Sequence, residues 1–278
     1  MNTMRDLTAM RAALEVVSIG PLATVQDRGR FGYAASAVPR SGPLDEDAMH
    51  AAIAAVSGSY ADDAAIELPL LGARFRVRGA LVASIDGETA RAFHDDELLD
   101  VPRSERAVRY LALQGGVDVR RVLGSRATLV TAALGGFEGR ALRVGDVVEV
   151  GAHRHSTLET KPIPSLSIET QLQAFPHAGA DRHALDALSS TTFRVDARSD
   201  RVGTRLDCTP LPSTPALAPS RPLTRGAIQL PPDGRPVVIG PDGPTVGGYR
   251  VVAVLTRASC ALLARLRPGV PFRIALEP

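Results

Sequence analysis

Short alternating segments, separated by glycine and proline, set the strongest limit on how this chain can fold. The chain carries 25 glycines and 21 prolines among its 278 residues. Apolar and polar residues alternate in segments 74–78, 192–196 and 270–276, which is the pattern of strands with one buried face. We therefore predict a mainly β chain, a barrel or sandwich built from many short strands.

Helical spacing replaces this alternation in a few places. A first helix is predicted between Pro43 and Gly58, because acidic residues fill its first turn and apolar residues share one face. That face consists of Ala48, Met49, Ala52, Ile53 and Val56. A second helix is predicted over 258–267, and a shorter one over 181–188.

Composition excludes several classes of function. A length of 278 residues with 45% hydrophobic content suits about two domains. The net charge of +2 argues against nucleic acid or an anionic membrane as partner, and no apolar run approaches the roughly 20 residues that span a bilayer.

Residues 1–13 lack the apolar block of a signal peptide, so we expect a disordered extension. Cys208 and Cys260 lack metal-ligand spacing, which suits inert thiols in a cytoplasmic protein.

Lys161 is the only lysine of the chain. A P-loop needs Gly-Lys-Ser/Thr, and Lys161 follows a threonine, so the chain contains no P-loop. A biotinyl lysine is conventionally flanked by methionines, which Lys161 also lacks. We expect no covalently bound cofactor. ATP would act through a complex or a site without a P-loop, and biotin only through a partner.

The segment 24–45, TVQDRGRFGYAASAVPRSGPLD, is the strongest candidate for a site. Glycines and prolines fix the shape of a loop, and arginines beside amide or hydroxyl groups suit a planar anion. The candidate ligand-binding residues here are Gln26, Asp27, Arg28, Arg40, Ser41 and Gly42. A helix-capping turn at Ser41 and an Asx turn at Asp27 are the structural alternatives.

Two further glycine-rich loops resemble binding loops. Gly135, Gly136 and Glu138 form one of them, downstream of Arg126, and paired glycines let backbone amides approach a ligand. A bulged hairpin turn explains the same glycines. The other loop, Gly247-Gly248-Tyr249, follows Asp242.

The six histidines show no metal-ligand spacing, so no metal site is predicted.

Several segments together identify a family. VQDRGRFGY, VPRSGPLD, LQGGVDV, GSRATLVTAALGGFEGRALRVGD, SDRVGTRL, GAIQLPPDGRPVVI and TVGGYR follow in this order. The chain thereby resembles the biotin-dependent carboxyltransferase family, which includes the KipA-like C-type subunit of 5-oxoprolinase, allophanate hydrolase subunit 2 and the carboxyltransferase region of urea carboxylase. The resemblance implies two cyclophilin-like β-barrel units, which we place at 14–156 and 166–278 with a linker at 157–165.

The resemblance also implies a function. The chain would join KipI-like and LamB/YcsF-like partner subunits in the ATP-dependent opening of 5-oxoproline to glutamate. Arg40, Asp242 and Glu138 would then be catalytic, and the glycine pairs at 135–136 and 247–248 would stabilise developing negative charge beside a small amide or carboxylate substrate. Two alternatives are a carboxyltransferase that acts on urea or a similar amide with carboxybiotin, and a regulatory protein that binds a KipI-type inhibitor without catalysis.

One segment departs from the family pattern. The family usually has a glutamine and a second threonine before Gly-Gly-Tyr, and Pro-Lys after it. Here Pro244, Val246, Arg250 and Val251 occupy those places. Arg250 could replace the positive charge, although a guanidinium differs from an ammonium in shape and hydration. The departure favours the regulatory alternative.

Overall fold

The structure, a computed structural model, describes residues 11–152, 170–213 and 219–277. The described residues fall into two compact units. The first takes those within Met1–Arg28, Ala48–Ser104 and Arg109–Pro162, and the second takes those within Gly29–Asp47, Glu105–Val108 and Ile163–Pro278. The segment of the candidate site that follows Arg28 therefore groups with the C-terminal unit, although it lies near the start of the chain.

The first unit is built from nine strands within the described residues. They are β1 (Ala13–Ile19), β2 (Thr24–Gln26), β3 (Ala65–Pro69), β4 (Ala73–Arg78), β5 (Leu81–Ile85), β6 (Arg91–Phe93), β7 (Leu98–Val101), β8 (Val108–Leu113) and β9 (Val147–Glu149). They form two sheets, in the orders β7-β4-β1-β9 and β2-β3-β8-β5-β6.

One apolar core serves both sheets of the first unit. Phe75 and Val77 from β4 join Ile66 from β3 and Leu111 from β8 in the same buried cluster. In β4, alternate residues are buried and exposed, as its sequence predicts.

The second unit contains a closed barrel. Its strands and those beside it are β10 (Gln171–Pro176), β11 (Thr192–Val195), β12 (Gly203–Asp207), β13 (Arg221–Pro222), β14 (Ala227–Leu230), β15 (Val237–Ile239), β16 (Val246–Gly247), β17 (Arg250–Leu255) and β18 (Pro271–Leu276). The barrel order is β10-β17-β14-β15-β12-β11-β18, and β13 pairs with β16 in a separate ribbon. The barrel closes because β10 pairs in parallel with β18.

Three α-helices complete the described chain: α1 (Glu46–Ala55), α2 (Arg182–Ser190) and α3 (Arg257–Arg265). Asp181 caps α2 by accepting from the amide of Ala184, and Thr256 caps α3 by accepting from the amide of Ser259. Short 3-10 helices lie at Ala34–Ser36 and Val130–Ala132.

The mainly β prediction is confirmed, and all three predicted helices form. The resemblance implied a barrel in each unit. The second unit has one, whereas the described strands of the first form two sheets over a shared core. Ala13, placed in the predicted extension, already belongs to β1, while residues 1–10 and the predicted linker 157–165 lie outside the described residues.

No helix within the described residues is long and apolar enough to cross a membrane. Among the same residues, no group of three or more His, Cys, Asp or Glu side chains is arranged to hold a metal ion. The absence of a metal site remains a prediction for the chain as a whole.

Candidate functional site

The turn Arg40-Ser41-Gly42 is held in an unusual backbone conformation in the second unit. Ser41 and Gly42 both have positive φ, 58° and 87°, a region that non-glycine residues rarely adopt. The amide of Ser41 donates to the carbonyl of Pro241 at 2.9 Å. A Cβ on Gly29 would lie 2.6 Å from the carbonyl oxygen of Arg40, so Gly29 allows this close passage of two backbone segments.

A buried ion pair fixes this turn. Arg201 contacts both carboxylate oxygens of Asp242, through Nε at 2.8 Å and Nη2 at 3.0 Å. The same Nη2 donates to the carbonyl of Gly42 at 2.7 Å, and the two side chains are only 8% and 4% exposed. The paired Asp242 carboxylate therefore supports the backbone of the turn through Arg201, and its catalytic role remains a prediction.

Arg40 and Arg30 flank the turn in different ways. The guanidinium of Arg30 is buried and donates to the hydroxyl of Ser41 at 3.0 Å. The Arg40 side chain is 40% exposed, lies 3.4 Å from the carboxylate of Glu46 and covers the ring of Phe31 at 4.2 Å from its centroid. Arg40 thus combines a fixed position with access to a ligand.

Glu46 gathers further guanidinium groups near Arg40. Arg225 approaches its carboxylate at 3.3 Å and also donates to the carbonyl of Pro43 at 3.0 Å. Arg257 approaches the other carboxylate oxygen at 2.6 Å. One nearly buried carboxylate thus organises three arginines, which is an arrangement suited to anions.

The Gly247-Gly248-Tyr249 segment also lies in the second unit. Gly247 pairs with Arg221 in the β13–β16 ribbon, and a Cβ on Gly247 would come within 2.9 Å of the Gln229 amide nitrogen. Tyr249 is 44% exposed, and its carbonyl accepts from that nitrogen at 3.4 Å. Gly248 is half-buried beside them.

Gln26 and Asp27 are buried in the first unit. The Gln26 amide nitrogen donates to the Thr24 hydroxyl at 2.9 Å, and its carbonyl oxygen has no hydrogen-bond partner among the described residues. Asp27 accepts from the Ser125 hydroxyl at 2.6 Å and from the Arg126 amide at 2.5 Å. Arg28, by contrast, is exposed.

Arg126 and the Gly135-Gly136 pair make hydrogen bonds within the first unit. The Arg126 guanidinium donates to the carbonyls of Val119 and Asp62 at 3.0 and 2.9 Å. Its own carbonyl accepts from the Gly136 amide at 2.8 Å. That amide is therefore already bonded, and the anion-binding role predicted for Gly136 has less geometric support than the role predicted for Arg40.

Glu138 lies at the surface of the first unit. Its side chain is 71% exposed and contacts Arg140 at 3.0 Å, while Arg140 also contacts Asp146 at 2.7 Å. Hydrogen bonds from Arg140 lower the pKa of Asp146, and the same pairing raises the pKa of Arg140. Glu138 is thus one partner of a surface ion network, and its catalytic role remains a prediction.

The predicted site residues thus form a group in each unit. Arg40, Ser41, Gly42, Asp242 and the 247–249 segment belong to the second unit, whereas Gln26, Asp27, Arg28, Arg126, Gly135, Gly136 and Glu138 belong to the first. Sequence reasoning missed Arg201 and Arg225. Arg201 stood in the quoted segment SDRVGTRL, but nothing in that segment indicated that its guanidinium is buried.

Comparison with protein families matches residues 36–276 to the family described as carboxyltransferase domain, subdomain A and B. The chain belongs to this family. The matched residues include the Arg40 turn and every strand of the barrel.

Two kinds of curated protein resemble this member of the carboxyltransferase family. The C-type subunit of the Escherichia coli 5-oxoprolinase is 31% identical, over 93% of this chain and 89% of that protein. The Haemophilus influenzae protein of the same name is 27% identical, over 92% and 88%. The urea amidolyase of Lachancea kluyveri is 29% identical over 92% of this chain, which spans only 16% of that protein.

Solved structures show the same fold. The crystal structure of TTHA0988 is 30% identical with a TM-score of 0.82, covering 96% of this chain and 56% of that one. The Kluyveromyces lactis urea amidolyase, at 24% identity, superposes with a TM-score of 0.86 over 96% of this chain and 19% of that one.

In the segment 244–251, which departs from the family pattern, the positively charged residue Arg250 is paired with a carboxylate. Arg250 forms an ion pair with Asp181, the capping residue of α2. The hydrogen bond from the Ala184 amide, followed by the one from Arg250, lowers the pKa of Asp181. The guanidinium of Arg250 is therefore paired with the residue that caps α2.

Proposed function

We propose that this chain is the C-type subunit of an ATP-dependent 5-oxoprolinase, which opens the cyclic amide 5-oxoproline to glutamate. The observation that carries the proposal is the 31% identity to the C-type subunit of Escherichia coli, which extends over 93% of this chain and 89% of that protein. That similarity covers most of both proteins, which supports an assignment to this type of subunit.

The proposed reaction breaks the ring C–N bond. The carbonyl oxygen of the lactam attacks the γ-phosphorus of ATP and ADP leaves, which makes the carbonyl carbon more electrophilic. Water adds to that carbon, the C–N bond breaks and the nitrogen takes up a proton. A further water releases the phosphoryl group as phosphate, which leaves glutamate, ADP and phosphate as products.

Arg40, in the Arg40-Ser41-Gly42 turn, is suited to binding the anionic groups of this reaction. Its guanidinium is positioned by Glu46 and Phe31 and remains 40% exposed, so it can hold a carboxylate or phosphoryl group. Asp242 and Arg201 keep the turn in place. The amides of Gly247 and Gly248 are the candidates to stabilise developing negative charge.

The remaining machinery would come from partners. KipI-like and LamB/YcsF-like subunits complete the proposed hetero-oligomer in the cytoplasm. The chain has a single lysine and no P-loop sequence, so ATP would be bound by a partner or at a site without a P-loop.

A second candidate function is transfer of a carboxyl group from carboxybiotin to urea. It is favoured by the family match and by the 29% identity to the Lachancea kluyveri urea amidolyase. Biotin would then arrive on a partner. The third candidate, a regulatory protein that binds a KipI-like inhibitor, is favoured by the altered segment in which Arg250 pairs with Asp181.

One reconstitution discriminates among these functions. The chain is co-purified with its two proposed partners, and products are measured after addition of ATP with 5-oxoproline, or of urea with carboxybiotin. Glutamate from 5-oxoproline is the expected product. Carboxylated urea instead would establish the second function, and a complex that assembles but forms neither product would favour the third.

A further inference from the structure

Four exposed apolar side chains gather at one corner of the first unit. The turn between β1 and β2 lies beside the turn between β3 and β4, because Ile19 pairs with Ala73 where these strands end. A third turn joins them through a hydrogen bond from the Leu142 amide to the Ala23 carbonyl at 2.8 Å. The three turns carry the corner patch, whose members are between 38% and 67% exposed: Leu22, Leu70, Leu71 and Val144.

Two of these leucines have a backbone conformation that leucine rarely adopts. Leu22 follows Pro21 in its turn and has a φ of 66°, and a turn with proline first and a positive φ second ordinarily has glycine at the second place. The Leu71 amide donates to the Pro69 carbonyl at 2.6 Å, which closes a three-residue turn around Leu70, whose φ is 58°. A turn of this kind with positive φ is the rare and strained form.

The fold alone gives no reason for leucine at these two positions. Glycine would adopt the positive φ without strain, and a polar side chain would leave less apolar surface in water. Leu22 and Leu70 are unfavourable in both respects, and neither belongs to the buried core of the described residues. Single exposed leucines are ordinary in soluble proteins, whereas apolar side chains gathered on adjacent turns mark a surface that another molecule covers.

Two arginines border the corner patch with their charges uncompensated. Arg143 lies in the third turn, and a Cβ on Gly72 would lie 3.2 Å from the backbone nitrogen of Arg103. Both arginines are exposed, and neither side chain makes an ion pair or hydrogen bond with any residue that the structure describes. Asp146, which accepts from the Arg143 amide at 2.8 Å, is already paired with Arg140 at 2.7 Å. Carboxylates on the covering surface would therefore be complementary to the border of the patch.

We propose that the corner patch binds a partner subunit, through a surface on which apolar side chains are flanked by carboxylates. The proposal rests on the proposed function only for the source of that partner. A second copy of this chain is disfavoured, because a symmetric pair would bring the same uncompensated charges of Arg103 and Arg143 to one interface. A membrane surface is disfavoured because stable electrostatic attachment to anionic lipid takes a larger basic cluster than two arginines.

Leucine-to-glycine substitutions separate binding from folding. The double variant Leu22→Gly with Leu70→Gly removes two apolar side chains, but glycine suits the positive φ at both positions. Its thermal melt should therefore stay close to that of the unmodified chain. In calorimetric titrations with each of the two proposed partner subunits, we expect the unmodified chain to bind at least one of them. The double variant should bind that subunit at least roughly ten-fold more weakly.

The matched control is Leu123→Gly. Leu123 has a φ of 54° and is 39% exposed, which makes it similar to Leu70 in both respects. It lies in another turn, where the Ser125 hydroxyl donates to Asp27, at the end of β2 opposite Leu22. Leu123→Gly should bind the partner subunit like the unmodified chain. A loss of binding equal to that of the double variant would contradict the assignment of binding to the corner patch.

Charge reversal tests the predicted chemistry of the partner. Binding of the unmodified chain should weaken as salt is raised, because salt screens the attraction between Arg103, Arg143 and carboxylates. Arg143→Glu should bind more weakly and depend less on salt. Binding that responds neither to salt nor to Arg143→Glu would show that the covering surface is not acidic, and would overturn the proposal.

Other occupants of the patch give other results, and each would overturn the proposal. Light scattering would assign the patch to a second copy if the unmodified chain is a dimer and the double variant a monomer. Vesicles of phosphatidylserine and phosphatidylcholine would assign it to a membrane if they bind the unmodified chain and not the double variant. Failure of both partner subunits to bind the unmodified chain, or equal binding of the double variant, would also overturn it.

The docking proposal and the proposed function fail separately. If the double variant assembles as tightly as the unmodified chain and the complex releases glutamate, the docking proposal is wrong and the proposed function stands. If assembly requires the corner patch but the complex releases no glutamate, the docking proposal stands and the proposed function is wrong.

Discussion

Replacing Arg201 with alanine removes the guanidinium that joins the Arg40-Ser41-Gly42 turn to Asp242. The substitution deletes two hydrogen bonds to the Asp242 carboxylate and one to the Gly42 carbonyl. It also leaves that carboxylate, 4% exposed in the intact chain, without its counter-charge. All of these groups belong to the second unit. The substitution should therefore lower the free energy of unfolding of that unit.

The expected magnitude follows from the burial of the pair. Removing one partner of a buried, hydrogen-bonded ion pair typically lowers the free energy of unfolding by about 3–5 kcal/mol. For a unit of this size, that corresponds to a fall in melting temperature of roughly 6–20 °C. The double variant Arg201→Met with Asp242→Leu removes both charges together, and should recover much of the loss because no isolated charge remains buried.

Circular dichroism melts and amide hydrogen exchange provide the assay. The amide of Ser41, which donates to the Pro241 carbonyl, should exchange faster in Arg201→Ala. Arg182→Ala, which breaks an exposed pair on α2, is the matched control and should melt within about 1–2 °C of the unmodified chain. An Arg201→Ala protein that melts like this control, with Ser41 still protected, would refute the assignment of Arg201 as the support of the turn.

Two smaller perturbations test other parts of the structure. Gly136→Ala should lower the melting temperature, because φ is 52° and the new Cβ would lie 1.8 Å from the Thr128 hydroxyl oxygen. Gly124 also has a positive φ, 77°, but a Cβ there would meet no atom within 4 Å. Gly124→Ala should therefore lower the melting temperature less. Equal melts for both would contradict this steric reasoning. Hydrogen bonds from the Arg198 side chain and amide lower the pKa of Asp196 to about 2, so this group's contribution to stability is present above about pH 4 and is lost as the pH falls through about 2. Arg198→Ala removes the side-chain donor and keeps the amide donor, so a carbon-13 titration should show this pKa rising part of the way toward about 3.9. An unchanged pKa would contradict the assigned cause.

Local features of the fold could be predicted because they depend on nearby residues. Strands β4, β11 and β18 bury one face each. The alternation of apolar and polar residues in their sequences predicts this burial pattern. The helix α2 begins after Asp181, whose side chain caps it. The closure of the barrel could not be predicted from local sequence, because it pairs residues 171–174 with residues 273–276.

Buried arginines explain most of what sequence reasoning missed at the site. Arginine is ordinarily an exposed residue, and its burial depends on a carboxylate that is distant in the chain. Arg265 and its partner Asp45 are 220 positions apart, and their side chains are 1% and 0% exposed. Arg201 and Asp242 are 41 positions apart. The sequence showed the charges of these residues, but only the fold shows which of them meet.

The same limit applies to residues on neighbouring strands of the barrel. Tyr249 and the glycine pair before it were predicted to bind substrate, whereas Arg205 and Gln229 stood in quoted segments without a role. The strands β12 and β14 both pair with β15, so Arg205 and Gln229 lie on strands that flank the same neighbour. Strand order cannot be deduced from the alternation pattern, because that pattern describes faces rather than neighbours.

The most direct test of the proposed function is ATP-dependent release of glutamate from 5-oxoproline, measured with this chain present, omitted and added back to its two partner subunits. The proposed role predicts that release stops on omission and returns on addition, and that Arg40→Ala fails to restore it while Arg182→Ala restores it fully. Release that continues without this chain, or a complete complex that cleaves ATP without forming glutamate, would contradict the assignment of this chain as the C-type subunit of 5-oxoprolinase.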